Sequence, residues 1–534
     1  MNATKPLLSV ATLLIFSYLC FVFNPAKTSG TLLFKDTLAD QNQVLAPIDT
    51  PLYATKTGYE LSIETFGSKS ERELNWFDLA RTTGAVVPEG LENCAPDGVY
   101  VVYRHGTRNP GDGDVRDVHS IIDRLQNTEI NPEFYYLREF PKLPVANASQ
   151  LVEAGWQELK MLAHRLSTKR FPELFPDKDF NFSRYSFQST NKSRTIDSAR
   201  GFLEGLVGEN QTCTPEYSKD AFTVECSENE APVTPTSTVI PHSPVDKDPL
   251  LRFYDVLETC TEAVNGGKTD LEQDTFRDGP EVGEVWTKVN QKLAPPGGKP
   301  FNLSRAEVIL LSEMCGFDLA MHNDSDTWCK LFEQQDLYAP EYHSELKNYW
   351  NKAYGFSINY RISCELALDA INYLEKRVAM PTSTPLGNFK FGHSETIVPL
   401  VALMGLFNEP VALLSSNFDE HIDRVFRAGN MSPFAGNVAF ALYRCNGSSD
   451  TVHRVQVLLN ERPVKLDFCT GQFCSLEEFK GGIERAIGTC DFKEECAAAL
   501  DDDQKSNGNI NFSACLQFLL AYVALVGISV IRAS

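Results

Sequence analysis

The residues best suited to chemistry in this 534-residue chain lie in the stretch VYVVYRHGTRNPG, residues 99 to 111. An apolar run ends at Tyr103, and Arg104, His105 and Arg108 follow at once, with Gly106 beside the histidine. Two further stretches share this form. RYSFQST runs into NKSRTIDSARGFLEGL and brings Lys192 and Arg194, while GNFKFG runs into HSETIVPLVALMGLF and brings His393 and Glu395. Several cations, two histidines and one carboxylate fit transfer of a phosphoryl group, whose equatorial oxygens carry the charge that the site must balance. Arginine suits that task because it stays charged and donates two parallel hydrogen bonds to a phosphate. A neutral imidazole can attack phosphorus, and the nearby Arg104 and Arg108 disfavour imidazolium, keeping the lone pair of His105 available. Its other ring nitrogen then needs an acceptor, such as a backbone carbonyl, to fix the tautomer. Glu395 is placed to protonate the departing alkoxide and later to take a proton from water. This chemistry requires no metal or other cofactor. The sequence has no H-E-x-x-H, no metal-spaced Cys/His cluster and no Walker loop.

Each of the three stretches is predicted to be a strand passing directly into a helix. In a parallel α/β sheet such junctions share the carboxyl edge, where ligands bind and helix N-termini favour anions. Most segments between about 120 and 380 are predicted to be helical. In SQLVEAGWQELKMLAHRL, Ser149 is the expected N-cap, and Leu151, Trp156, Leu159, Leu162 and Leu166 fall on one face. RAEVILLSEMCGFDLAM and SCELALDAINYLEKRV have the same character, and their apolar faces are expected to be core. The Pro-rich stretches 231–249 and 293–300 are expected to be surface loops. No internal repeat or heptad run is present, so no oligomeric state is implied.

The length suits one large domain or two intimate ones, and 43% hydrophobic with 11% aromatic content allows a sizeable core. With 71 acidic against 49 basic residues, net charge -22, nucleic acid and anionic membrane surfaces are unsuited as electrostatic partners. A small anionic phosphorylated ligand is not excluded, because a pocket sets its own field. Residues 1–30 resemble a signal peptide, with small residues between Ala26 and Gly30 as cleavage points; the alternative is a signal anchor. At the other end, a polar spacer (491–513) precedes an apolar segment (514–534). That order suggests a GPI-attachment signal with Ser506, Asn507 and Gly508 as the acceptor region, the alternative being an uncleaved span. Of the 14 cysteines, Cys20 and Cys515 lie in these ends. The other 12 form an even set, as expected in an oxidising compartment. Asn147, Asn181, Asn191, Asn210, Asn302, Asn323 and Asn446 each begin a glycosylation sequon, again placing the body in the secretory pathway, at the cell surface or secreted. Asn430 does so too, but Pro433 follows its Ser432.

RHGTRNP resembles the R-H-G-x-R-x-P signature of the histidine phosphatase superfamily, in its acid phosphatase and phytase branch. By chance those defined letters would arise in a chain this long with odds on the order of 1 in 10,000 from average composition, so they weigh more than a lone His beside a Gly. GHSETIVPL is similar to the His-Ala-Glu pattern of the multiple inositol polyphosphate phosphatases, with Ser394 in place of Ala, rather than to the His-Asp pair common elsewhere in the branch. NKSRTIDSA resembles the segment that supplies a further phosphate-binding arginine, and LVEAGWQELKMLAHRL a family helix with Gly after L-x-x-x-G spacing. The likeness spans about 60 to 490. It implies His105 as nucleophile, Arg104, Arg108, Arg194 and His393 as phosphate ligands, and Glu395 as proton donor. Lys192, at the second junction, is a further candidate ligand on its position alone. The implied fold is α/β: a phosphoglycerate-mutase-like core sheet with flanking helices, built from 31–125 and 385–490. A mainly α-helical insertion (126–384) also contributes the Arg194 junction. The resemblance further implies a Cys94–Cys445 disulfide. Cys315–Cys329 and Cys469–Cys474 are candidate local pairs by their short separation, and the connectivity of the rest does not follow from the sequence. The implied function is hydrolysis of inositol polyphosphates, inositol hexakisphosphate included, and of 2,3-bisphosphoglycerate. The alternatives are a broad-specificity acid phosphatase and a non-catalytic surface binding protein.

Overall fold

The computed structural model describes residues 53–59, 91, 93–176, 181–208, 211–217, 221–228, 236–241, 248, 250–251, 268–446 and 451–490. The expected signal peptide, the acceptor residues Ser506, Asn507 and Gly508, the apolar C-terminal segment and the sequon at Asn210 lie outside these residues. Among the described residues no helix is long and apolar enough to cross a membrane.

The architecture is mixed α/β, with a central sheet flanked by helices. Its first strand, β1 (Cys94–Arg104), is buried without interruption from Val99 to Tyr103, which is why the sequence there is continuously apolar rather than alternating. In chain order the elements that matter for the site are as follows. After β1 come α1 (Asp112–Asn127), α2 (Glu153–Arg165), β2 (Tyr185–Ser189) and α3 (Ser193–Val207). A small antiparallel sheet of β3 (Gln211–Tyr217), β4 (Ala221–Glu228) and β5 (Thr236–Pro241) precedes a helical stretch. That stretch runs through α4 (Lys268–Arg277), α5 (Pro280–Lys292), α6 (Arg305–His322), α7 (Tyr338–Lys352), α8 (Ser357–Arg361) and α9 (Cys364–Ala379). The chain then returns to the main sheet with β6 (Gly387–Gly392), α10 (Ser394–Leu403), α11 (Ala428–Met431), β7 (Asn437–Asn446), β8 (Thr451–Leu459), β9 (Arg462–Val464), β10 (Cys474–Ser475) and α12 (Leu476–Ile487).

The main sheet has the order β10-β8-β7-β1-β6-β2, with β9 paired to β8. β6 runs parallel to both β1 and β2, while β7 is antiparallel to β1. The register places Arg104 opposite Gly392, and both Tyr103 and Ser189 opposite Phe391. The three parallel strands therefore end level, so whatever follows each of them arrives at one edge. Tyr103 stacks on Phe391 at 5.5 Å and meets Phe202 of α3 at 4.9 Å. Together with Leu159, Leu162, Ile196 and Ala199 these rings form the core under that edge.

The structure corrects three sequence expectations. After β1 the chain does not pass directly into a helix: residues 105–111 form a loop, in which Arg108 bridges Leu151, and α1 begins only at Asp112. Helix α2 starts at Glu153, capped by Val152, and not at Ser149. Ser149 takes a left-handed φ of 61°, and the residues after it pair with the first junction: Asn109 N donates to Gln150 O, Val152 N to Thr107 O, and Leu151 bridges Arg108. Tertiary backbone pairing has consumed the first turn of the helical pattern. Likewise, the Pro-rich stretch 231–249 contains strand β5 rather than only loop. Its Thr, Val and Ile content favours extended backbone, and β5 pairs only with β4, so Pro241 sits on an edge strand where no ladder donor is needed.

Disulfides join Cys94–Cys445, Cys315–Cys329, Cys469–Cys474 and Cys364–Cys490. The first ties the start of β1 to the end of β7, where the two cysteines are direct register partners. Of the sequon residues, Asn147, Asn181, Asn191, Asn302, Asn323 and Asn446 are exposed, as glycan acceptors must be, whereas Asn430 is buried.

Candidate active site

The level ends of β1, β6 and β2 bring the three predicted junctions together. His105 donates its backbone N–H to Gly392 O, and its carbonyl accepts from Ala435 N; Thr190 N donates to Phe391 O. The side chains follow. His105 and His393 lie with ring centroids 5.6 Å apart, and Arg194, in the first turn of α3, donates to His393 Nδ1 at 3.3 Å. A guanidinium can only donate, so Nδ1 of His393 is the acceptor and its Nε2 carries the proton, donated to Thr190 Oγ1 at 2.8 Å.

The same reasoning settles His105. Its Nδ1 lies 2.8 Å from the Gly106 carbonyl, which can only accept, so Nδ1 carries the proton and Nε2 keeps its lone pair. Burial first, and then Arg104, Arg194, His393 and Arg108, hold its pKa well below the usual histidine value. His105 is therefore a neutral imidazole across the physiological range, with one nitrogen anchored and the other available.

Arg104 is almost fully buried, at 3% exposure. One guanidinium nitrogen donates to Thr55 O at 2.6 Å and Ser432 O at 2.7 Å, and the group lies 4.5 Å over the Phe434 ring. Arg108 donates to Asn109 O at 2.6 Å and lies over Phe317. The Nε of each is buried without a hydrogen-bond partner. Burial, followed for Arg104 by repulsion from Arg108, lowers both pKa values, yet guanidinium basicity is high enough to keep the charges. Buried cations with unused donors are costly in isolation, and an anion bound among them would offset that cost.

Glu395 lies in the first turn of α10, two residues after His393, the N-cap. Its Oε1 meets Lys352 Nζ at 2.9 Å, and Oε2 accepts from Ser394 Oγ at 3.0 Å. Burial alone would raise its pKa, but Lys352 and then His393 outweigh it and hold the carboxyl well below the usual range. With no substrate bound, this residue is a carboxylate. The serine that stands where the related pattern has alanine is thus a hydrogen-bond donor to the expected acid.

Lys192 is the N-cap of α3, where its carbonyl accepts from Thr195 N and Ile196 N, and so stands at the second junction two residues before Arg194. The structure adds residues that the sequence did not single out. Glu158 of α2 accepts from Thr107 N and Thr107 Oγ1, both at 2.7 Å, and Ser198 of α3 accepts from Gly106 N at 3.0 Å. Lys352 is another, and nothing local in YWNKAYG marks it, since its partner lies on a different element.

The Gly of the L-x-x-x-G spacing has a spatial reason. A Cβ on Gly155 would lie 2.1 Å from Thr107 O, and one on Gly106 would lie 2.2 Å from Gly155 O. Both clashes are with backbone that is itself hydrogen-bonded. Gly155→Ala is expected to destabilise the fold by about 3 kcal/mol or more, the upper end of overpacking costs, and to lower turnover by displacing His105. A denaturant midpoint equal to that of the native protein would show that the contact relaxes freely.

Comparison with known proteins agrees with this geometry. Residues 97–460 match the Histidine phosphatase superfamily (branch 2). Multiple inositol polyphosphate phosphatase 1 of Gallus gallus is 31% identical over 445 residues, covering 81% of this chain and 92% of that protein. The Homo sapiens protein of the same name is 31% identical over 489 residues, covering 88% and 93%. Among solved structures, the Bifidobacterium longum multiple inositol polyphosphate phosphatase in complex with inositol hexasulfate superposes with a TM-score of 0.57 at 16% identity, covering 83% of this chain and 99% of that one. The protein is a phosphoric monoester hydrolase. The chain belongs to the histidine phosphatase superfamily, branch 2.

Proposed function

We propose that this protein hydrolyses inositol polyphosphates, inositol hexakisphosphate included, through a phosphohistidine formed on His105. The observation that carries the proposal is the neutral, anchored imidazole of His105 set among Arg104, Arg108 and Arg194. The scissile phosphate would occupy the centre of these cations, accepting from the unused donors of Arg104 and Arg108 and from Arg194, which His393 holds in place. Attack by Nε2 forms the N–P bond as the P–O ester bond breaks, and the proton for the departing inositol oxygen comes from Glu395. Water then attacks phosphorus, Glu395 takes its proton, and inorganic phosphate leaves. Similarity to multiple inositol polyphosphate phosphatases supports the substrate class, and 2,3-bisphosphoglycerate is included as a second polyanion of comparable charge density. The disulfides and exposed sequons support a secreted or surface location, with the C-terminal segment as a lipid-attachment signal.

The test is phosphate release from inositol hexakisphosphate, 2,3-bisphosphoglycerate and glycerol 2-phosphate under one set of conditions. The expected result is a kcat/KM for inositol hexakisphosphate at least about tenfold above that for the monoester, since one more well-placed charged contact is worth that much. Equal or better use of the monoester would instead indicate a broad-specificity acid phosphatase.

A further inference from the structure

Glu395 poses a chemical problem. A proton donor must hold a proton, yet this carboxyl rests against an ammonium group at 2.9 Å. Cations and one imidazole approach it from several elements. Lys352 approaches from the end of α7, His393 from the β6–α10 junction, and Arg104 and Arg108 from beyond β1. Lys347, one turn earlier on α7, also feels its charge. Lys352 is not isolated either. Lys347 feels both Lys352 and Lys56 as like charges, and Lys56 is paired to Glu313 at 2.9 Å. Beyond the arginine clamp there is therefore a second group of cations, Lys56, Lys347 and Lys352, and Glu395 interacts with members of both groups. Lys352 and Glu395 both keep some solvent access, at 17% and 26% side-chain exposure, so neither is locked in the core.

We propose that Lys352 is a positioning residue that makes the proton donor respond to substrate: a second phosphate on the substrate draws Lys352 away from Glu395, and the released carboxyl takes up the proton that it delivers to the leaving oxygen. The inference rests on the inositol polyphosphate reading above. A phosphate dianion is a stronger partner for an ammonium than a carboxylate, and it also adds negative charge beside Glu395. Loss of the cation and gain of an anion both favour the protonated acid. A substrate with one phosphate, filling only the arginine clamp, leaves the Lys352–Glu395 pair intact and the donor ionised. Proton balance is kept over the cycle. Glu395 gives its proton to the alkoxide and regains one from the attacking water, and when product leaves Lys352 returns and the proton passes to solvent.

The signs are definite. Above its pKa the protonated fraction of Glu395 falls tenfold per pH unit, so its pKa sets the high-pH limb of kcat for substrates with alkoxide leaving groups. In the native enzyme that limb is expected at least about one pH unit higher with inositol hexakisphosphate than with glycerol 2-phosphate. In Lys352→Met the glycerol 2-phosphate limb moves up by about one unit or more, so turnover of the monoester at pH 7 rises roughly tenfold while KM for inositol hexakisphosphate increases. Lys352→Arg, which keeps a cation, leaves the monoester limb near its native position. The phosphate's own ionisation near pH 6 is common to native and variant and cancels in that comparison.

A monoester limb unmoved in Lys352→Met overturns the proposal, as do coincident limbs for the two substrates in the native enzyme. If the native enzyme turns over glycerol 2-phosphate but not inositol hexakisphosphate, the proposed substrate class fails and the release step fails with it. Turnover of both with coincident limbs removes the release step alone.

Discussion

His105→Ala abolishes phosphate release from every substrate, with kcat falling by about 10⁴-fold or more toward background. The size follows from what remains. Arg104, Arg108 and Arg194 can still gather a phosphate, but His393, the other imidazole in the cluster, has both ring nitrogens engaged, with Thr190 and Arg194. No second lone pair is offered to phosphorus. Binding should survive, because the alanine removes a neutral ring and leaves the cations. The variant is therefore expected to retain affinity for inositol hexakisphosphate in a titration, while alkali-quenched protein carries no phosphate on histidine where the native enzyme does. Near-native turnover, or an acid-labile phosphoprotein in the variant, would place the nucleophile elsewhere.

How much of this was legible in the sequence depended on whether partners were neighbours along the chain. The three junctions were legible because each is continuous in sequence, although the loop 105–111 separates β1 from the helix that was expected to follow it directly. β1 reads as an apolar run ending at Tyr103, and the parallel register that levels Tyr103, Ser189 and Phe391 follows from the architecture those runs imply. The reason for Gly155 was not legible, since the clash it avoids is with Thr107, 48 residues away and on another element. The same distance hid the true start of α2, where periodicity favoured a helix from Ser149 but pairing to Asn109 and Thr107 pulled the backbone out of it. Strand β5 was masked by prolines, which an edge strand tolerates. The Cys364–Cys490 disulfide has a long spacing that carries no pairing information. Lys352 is the most consequential residue that the sequence did not reveal. A lysine ending a helix is ordinary, and only the folded chain sets it against a carboxylate 43 residues on.

Glu395→Gln separates the two proton-transfer steps, and its effect should depend on the leaving group. A glutamine keeps the shape and can still accept from Ser394, but it has no acidic proton to give. For glycerol 2-phosphate and inositol hexakisphosphate the departing oxygen is a strong base, and kcat is expected to fall by about 10²- to 10⁴-fold, the usual worth of a positioned acid. For p-nitrophenyl phosphate the leaving phenoxide needs no proton, so formation of phosphohistidine should slow by less than about tenfold. Steady-state turnover of that substrate nevertheless drops, because the glutamine cannot take the proton from the attacking water and the intermediate accumulates. The two effects are resolved in time: rapid mixing should give a burst of nitrophenol close to one equivalent per enzyme, followed by a slow phase common to every aryl ester. The high-pH limb set by the carboxyl disappears for the alkyl esters in the same variant. Equal loss in the burst for aryl and alkyl esters would mean that Glu395 orients the phosphate instead of moving a proton. The Lys352 pairing would then be a structural ion pair beside the site, its strength unrelated to the leaving group.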